Sequence, residues 1–217
     1  MDYSPPPDSG LDILFQDDYL LAINKPPGLL SVPGKGENKQ DSMALRVQQR
    51  FPDALIVHRL DMATSGIMLM ALNKDIHREM SISFQQREVS KSYIAVIDGL
   101  PEEDLGSVDL PIITDWPNRP RQKIDYDSGK ASLTHYKVLD RNPVNQTTRV
   151  ELIPETGRTH QLRVHMQAIG HAIVGDRLYA ESTAQDKSDR LLLHAEKLAF
   201  NHPVSKDQIT ISCDATF

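Results

Sequence analysis

Fourteen prolines and eleven glycines are spread through a chain of 217 residues, and their spacing limits what the chain can build. In the second half Pro117, Pro120, Gly129 and Pro143 interrupt the apolar stretches before any reaches helical length. Proline cannot donate a ladder hydrogen bond and fixes its own φ, so each one ends an element or marks an edge. The alternating segments left between them, 107–113, 122–126, 132–139 and 148–153, read as strands.

The first half is punctuated in the same way. Segments 11–16 and 19–24 read as strands around an Asp17–Asp18 turn, and Lys25-Pro26-Pro27-Gly28 opens a loop through Gly36. Asp41 or Ser42 can cap a helix to about Arg50, with Pro52 as its stop. Segments 56–60 and 66–72 read as buried strands flanking a polar loop, 61–65. Residues 74–88 are helical by composition, and 89–98 alternates as a strand. Segment 159–169 fits both periods, and Gly170 as a C-terminal cap favours a helix. A polar loop is expected at 181–189, with closing strands at 191–200 and 208–213. Many strands and few helices imply an α+β domain around a mixed, largely antiparallel sheet. The expected organisation is a loose lead-in over 1–10 and a single domain over 11–217.

Apolar residues make up 39% and charged residues 25%, which excludes a disordered or fibrous chain. The lone Cys213 rules out a disulfide framework and a multi-cysteine zinc site, and fits a reducing compartment. No apolar run approaches the roughly 20 residues of a membrane span. The acidic, proline-rich start MDYSPPPDSG has the wrong chemistry for a signal peptide. A cytoplasmic protein without membrane contact is expected.

Twenty-four bases against 30 acids leave a net charge of −6, which by itself argues against a nucleic-acid partner. The distribution weakens that objection. Asp2, Asp8, Asp12, Asp17 and Asp18 concentrate acid in the first 20 residues, which hold no base. Segments 117–124 (Arg119, Arg121, Lys123) and 156–175 (Arg158, Arg163, and three histidines) hold bases and no acid. Either stretch alone is ordinary solvated surface; together they allow a local positive face.

The chain has no glycine-rich phosphate loop, no G-x-S-x-G elbow and no H-E-x-x-H. His160 and His165, five apart, do not share a helix face, so no metal site is expected. The informative segment is His58-Arg59-Leu60-Asp61-Met62-Ala63-Thr64-Ser65-Gly66. An aspartate directly after a buried strand sits on a rigid support and can serve as nucleophile or base. A turn aspartate bonding its own backbone is the competing reading. Arg59 or the distant Arg163 can keep such a carboxylate ionised.

H-R-L-D-x-x-T-S-G resembles the signature of the RluA family of RNA pseudouridine synthases. Further segments resemble that family in order and spacing: Asn24-Lys25-Pro26-Pro27-Gly28-Leu29, Lys91-Ser92-Tyr93, Gly157 to His165, and Leu192-Leu193-His194-Ala195. Segments 115–120 and 175–179 are similar to those of a dual-specificity member that modifies 23S ribosomal RNA and tRNA anticodon stem-loops. The resemblance implies the family's catalytic core, a mixed, largely antiparallel bent sheet flanked by helices and loops. It also implies the compact subgroup without an S4 RNA-binding domain.

The implied reaction breaks the N1–C1′ bond of uridine, rotates the uracil and rejoins it through C5, with no cofactor or metal. By resemblance Asp61 is the essential carboxylate, a nucleophile on C1′ or a base at C2′. Tyr93 would stack on the target uracil; a cross-strand aromatic pair is its competing role. Arg163 would be the basic pocket residue, paired with Asp61. Leu162 would be an apolar wall or simply core, and His58 is carried in the substrate site with its motif. Arg59 would occupy the place of the extruded base, or else pair with Asp61. Arg119, Arg121, Lys123 and Lys130 would contact phosphates of a structured RNA, and a monomer is expected. Two rivals stand beside this. A non-catalytic RNA-binding module would need clustered aromatics, which at 6% are scarce. A nucleoside hydrolase would need a second carboxylate for Asp61.

Overall fold

In a computed structural model of the chain, residues 3–217 are described, so Met1 and Asp2 of the expected lead-in lie outside the described residues. These residues form two compact units: 3–91 with 194–216, and 92–193 with Phe217. In chain order the elements are β1 (Ile13–Gln16), β2 (Leu20–Lys25), α1 (Met43–Gln48), β3 (Leu55–Ile56), β4 (Ser65–Ala71) and α2 (Lys74–Gln86). Then follow β5 (Ser90–Asp98), β6 (Leu105–Asp109), β7 (Ile112–Thr114), β8 (Gln122–Ile124), β9 (Leu133–Asn142) and β10 (Thr147–Pro154). The chain closes with α3 (Gln161–Ala168), α4 (Ser182–Gln185), β11 (Leu193–Asn201) and β12 (Gln208–Ser212). The class is α+β, with mostly antiparallel pairing.

The first unit is built on β2 and β4. They pair antiparallel from Leu20 opposite Ala71 to Lys25 opposite Gly66, with β1 on the other edge of β2. Side chains of a strand alternate between its faces, so each strand feeds two cores. Leu20, Ala22, Ile67 and Leu69 pack with Ile76 and Met80 of α2 and with Leu198, Phe200 and Ile211. Leu21, Ile23, Met68 and Met70 pack on the opposite face with Met43 and Val47 of α1. Every residue of β4 is buried, as a strand covered on both faces must be. Ser42 caps α1 by accepting from Leu45 N–H, and Asn73 caps α2 by accepting from Ile76 N–H.

The second unit carries an antiparallel sheet in the order β5, β10, β9, β6. A separate hairpin, β7–β8, pairs Ile112 with Ile124 and Thr114 with Gln122. Helix α3 is buried from Gln161 to Met166 and ends at Gly170, whose φ of 85° closes it.

Four expectations are corrected. Of the strand expected at 56–60 only Ile56 is in a strand, because Leu60 is bonded by a side chain instead of a ladder. The strand expected at 107–113 is two, separated at Leu110–Pro111. The polar loop 181–189 contains helix α4. Residues 3–8 form no helix or strand, yet they are not loose. Tyr3 donates to Asp41 O, and the buried Arg46 reaches Pro6 O at 2.6 Å while forking onto Asp41 at 2.7 and 2.9 Å.

Candidate active site

The loop that carries Asp61 is held at four points within the first unit. Ser31 Oγ donates to Leu60 O at 2.7 Å and accepts from Leu60 N–H at 3.1 Å. Thr64 N–H closes the turn onto Asp61 O. Met62 O accepts from both Gly28 N–H and the Lys25 ammonium, at 2.8 and 3.1 Å. Lys25 is fully buried, and its Nζ also donates to Pro26 O and Leu29 O. A buried ammonium is tolerated only where its donors are taken up, and three carbonyls match its three hydrogens.

The fourth point lies where β4 begins. Ser65 and Gly66 run parallel to His194 and Ala195 of β11. Gly66 has φ 111°, and a Cβ there would stand 2.3 Å from Ala195 O. Only glycine allows this approach. Beside it Ser65 Oγ lies 2.8 Å from His194 Nδ1, and His194 Nε2 lies 2.9 Å from Cys213 O. A carbonyl only accepts, so Nε2 carries a proton. The T-S-G and L-H-A segments thus fix the backbone that ends the Asp61 loop.

His58 sits inside the same unit. Its Nε2 accepts from Leu69 N–H at 3.0 Å, and its ring stacks on Phe84 at 4.7 Å. Burial, and then the nearby Lys91 ammonium, push its pKa down to about 3. Its acceptor nitrogen is therefore committed to the strand beneath the loop. Arg59 is exposed and makes no ion pair among the described residues. Its alternative role as the partner of Asp61 is set aside on that ground.

In the second unit Tyr93 is partly exposed on β5, opposite Leu152 of β10. That cross-strand neighbour is aliphatic, so the aromatic pair is not formed there. Leu162 and Arg163 are buried on α3. Arg163 forks onto Asp176, Nε to Oδ2 and Nη2 to Oδ1, both at 2.8 Å. Such a bidentate pair fixes the plane of the guanidinium. Asp176 Oδ1 also accepts from the N–H groups of Leu178 and Tyr179. The Tyr179 ring faces Arg163 Cζ at 5.1 Å, and its hydroxyl bonds His160 Nδ1 and Gln122 N–H, each at 2.7 Å.

The histidines and glutamine of the 157–165 block have structural partners. Gln161 Nε2 donates to Thr134 Oγ1, the Thr134 hydroxyl donates to His165 Nδ1, and His165 Nε2 donates to Leu110 O. Burial lowers the His165 pKa, consistent with the neutral form this chain requires. Among the described residues no cluster of three or more His, Cys, Asp or Glu side chains could hold a metal. No helix among them is long and apolar enough to cross a membrane.

Of the bases expected to contact phosphates, Arg119, Arg121 and Lys123 lie on the β7–β8 hairpin and Lys130 follows it. The Arg119 guanidinium stacks 3.5 Å from the centre of the Trp116 ring, which is 64% exposed. Lys123 pairs with Asp125 at 3.1 Å while remaining half-exposed. Arg121 donates to Leu178 O, so part of its guanidinium fastens the hairpin instead of facing water. Sequence reasoning missed Asp176 and Tyr179 as site residues, and missed the anchoring roles of Lys25, Ser31 and His194. The G-D-x-x-Y spacing of Gly175 to Tyr179 was the available signal for the first two.

Residues 19–168 match the family described as RNA pseudouridylate synthase. The chain is 50% identical over 215 residues to the dual-specificity RNA pseudouridine synthase RluA of Escherichia coli K12, covering 99% of this chain and 98% of that one. It is 51% identical, at the same coverage, to the protein of that name from Pasteurella multocida. Among solved structures, human RNA pseudouridylate synthase domain containing 1 matches with a TM-score of 0.81 and 30% identity, over 97% of this chain and 86% of that one. The chain belongs to the RNA pseudouridylate synthases, isomerases that turn uridine in RNA into pseudouridine.

Proposed function

We propose that this chain modifies uridines in two RNA classes, 23S ribosomal RNA and tRNA anticodon stem-loops, and that it acts in the cytoplasm without a cofactor. The carrying observation is half identity, over 99% of the chain, to relatives named as dual-specificity synthases. Asp61 acts at the ribose, on C1′ or at C2′, from the loop that Lys25, Ser31 and Ser65 hold. The N1–C1′ bond breaks, the uracil turns, C5 bonds C1′, and the C5 proton is lost while N1 gains one. Water must be kept from C1′ meanwhile. Tyr93 stacks on the uracil, Leu162 gives an apolar wall, and Arg163, oriented by Asp176, supplies the positive charge. The catalytic domain spans 11–217.

A uridine stacked in folded RNA must be extruded, at a cost of a few kcal/mol. Arg59 is exposed and without an ion-pair partner, which suits a planar cation that enters the vacated place. Arg119, Lys123 and Lys130 hold phosphates, with a lesser share for Arg121. The experiment is pseudouridine mapping after incubating the purified chain with a tRNA anticodon stem-loop and a 23S fragment. Product at a defined uridine in both is expected. Product in one only removes the dual specificity, and product in neither overturns the assignment.

A further inference from the structure

We propose that Tyr179 is a positioning residue that ties the seating of the β7–β8 hairpin to the orientation of Arg163; this rests on the function proposed above. The turn from Asp176 to Tyr179 is one rigid piece. A single carboxylate oxygen, Asp176 Oδ1, takes the N–H groups of Leu178 and Tyr179 together with Arg163 Nη2. One end of that piece therefore sets the plane of the Arg163 guanidinium, and the Tyr179 ring faces its Cζ from 5.1 Å.

The other end fastens the hairpin. Tyr179 Oη accepts from the backbone N–H of Gln122, the first residue of β8, and Arg121 donates to Leu178 O. A cleft of about 330 Å³ lies beside these bonds, lined among others by Gln122, Lys123, Val164, Gln167 and Tyr179. The hairpin is thus not packed tightly against α3 there. Beside that cleft the polar bonds help to set where the hairpin sits. The same hairpin carries Arg119 and Lys123, the charges offered to RNA phosphates. RNA that grips them loads a strand bonded to Tyr179, and the rigid turn passes that load to Arg163. A phenylalanine would keep the ring over Arg163 and lose the link to Gln122 together with the hydroxyl's bond to His160 Nδ1.

The test uses the full chain and two RNA substrates with the same target uridine, an anticodon-type stem-loop that spans the hairpin and a short flexible strand. Tyr179→Phe should leave the melting temperature and the stem-loop KM nearly unchanged and lower kcat on the stem-loop by about tenfold. On the flexible strand the loss should stay within about threefold. Arg121→Ala, which cuts the second fastening and also gives up a phosphate contact, should raise the stem-loop KM and still show the same split in kcat between the two substrates, and that kcat split carries the test should Tyr179→Phe fold poorly. Equal losses on both substrates, or no loss on the stem-loop, overturn the coupling while wild-type turnover leaves the proposed function standing. Absence of product with the wild-type chain overturns both.

Discussion

Around Asp61 the polar side chains of the sequence motifs point at backbone: Lys25 at three carbonyls, Ser31 at both polar groups of Leu60, His194 at Cys213 O. Along the β7–β8 hairpin Arg119 and Lys123 are exposed, and the side-chain fastenings to the 176–179 turn are the Tyr179 hydroxyl and the Arg121 guanidinium. A carboxylate that must meet one carbon atom needs a support fixed to a fraction of an ångström. A surface that grips a phosphate backbone needs charge and reach, and tolerates movement. The two regions also differ in what a substitution removes. In the first it removes structure, in the second affinity.

The comparison is broken most severely at Gly66. Gly66→Ala places a Cβ against the Ala195 carbonyl and strains φ, so a stability loss of about 3 kcal/mol or more is expected in chemical denaturation. Lys25→Met should cost about 2–3 kcal/mol, because three carbonyls lose their donor without gaining water. Its activity should fall further than its stability explains, since Met62 is then untied. A Lys25→Met protein with wild-type stability would mean the loop is held elsewhere.

His58 sharpens the contrast through pH. The unfolded chain binds a proton there near pH 6.5 and the folded chain only near 3, so between those values the unfolded state holds more protons. Stability therefore falls as the pH drops through that window, by about 2 kcal/mol at pH 5 from this group. His58→Gln, which keeps an acceptor and does not titrate, should flatten the acid limb of stability against pH. The smallest effects belong to the hairpin. Arg119→Ala and Lys123→Ala should leave stability unchanged, and each should reduce the slope of log affinity against log salt by about one. A change in melting temperature for either variant would contradict the division between the regions.

The strand that follows Asp61, the caps at Ser42 and Gly170 and the position of α3 were legible, because apolar period and turn chemistry are local signals. The 56–60 segment misled for a physical reason. Its apolar residues are half-buried or buried, but Ser31 and not a neighbouring strand satisfies the backbone of Leu60. Lys25 looked like a loop cation, and nothing local marks a lysine as fully buried on three carbonyls. The basic character of 156–175 also misled in part, since Arg163 is buried and bonded to Asp176 and His165 lies inside the unit. Motif residues told where chemistry gathers, without telling which of them touch substrate and which hold backbone.

The central claim is that Asp61 is the reacting group and that its surroundings only hold it in place. The direct measurement is pseudouridine formation and RNA binding by Asp61→Asn, whose amide is nearly the same shape. The account predicts no product after prolonged incubation with the stem-loop, binding within about tenfold of wild type, and an unchanged melting temperature. Turnover by Asp61→Asn above that of a mock preparation would contradict it, and would move the chemistry to another residue.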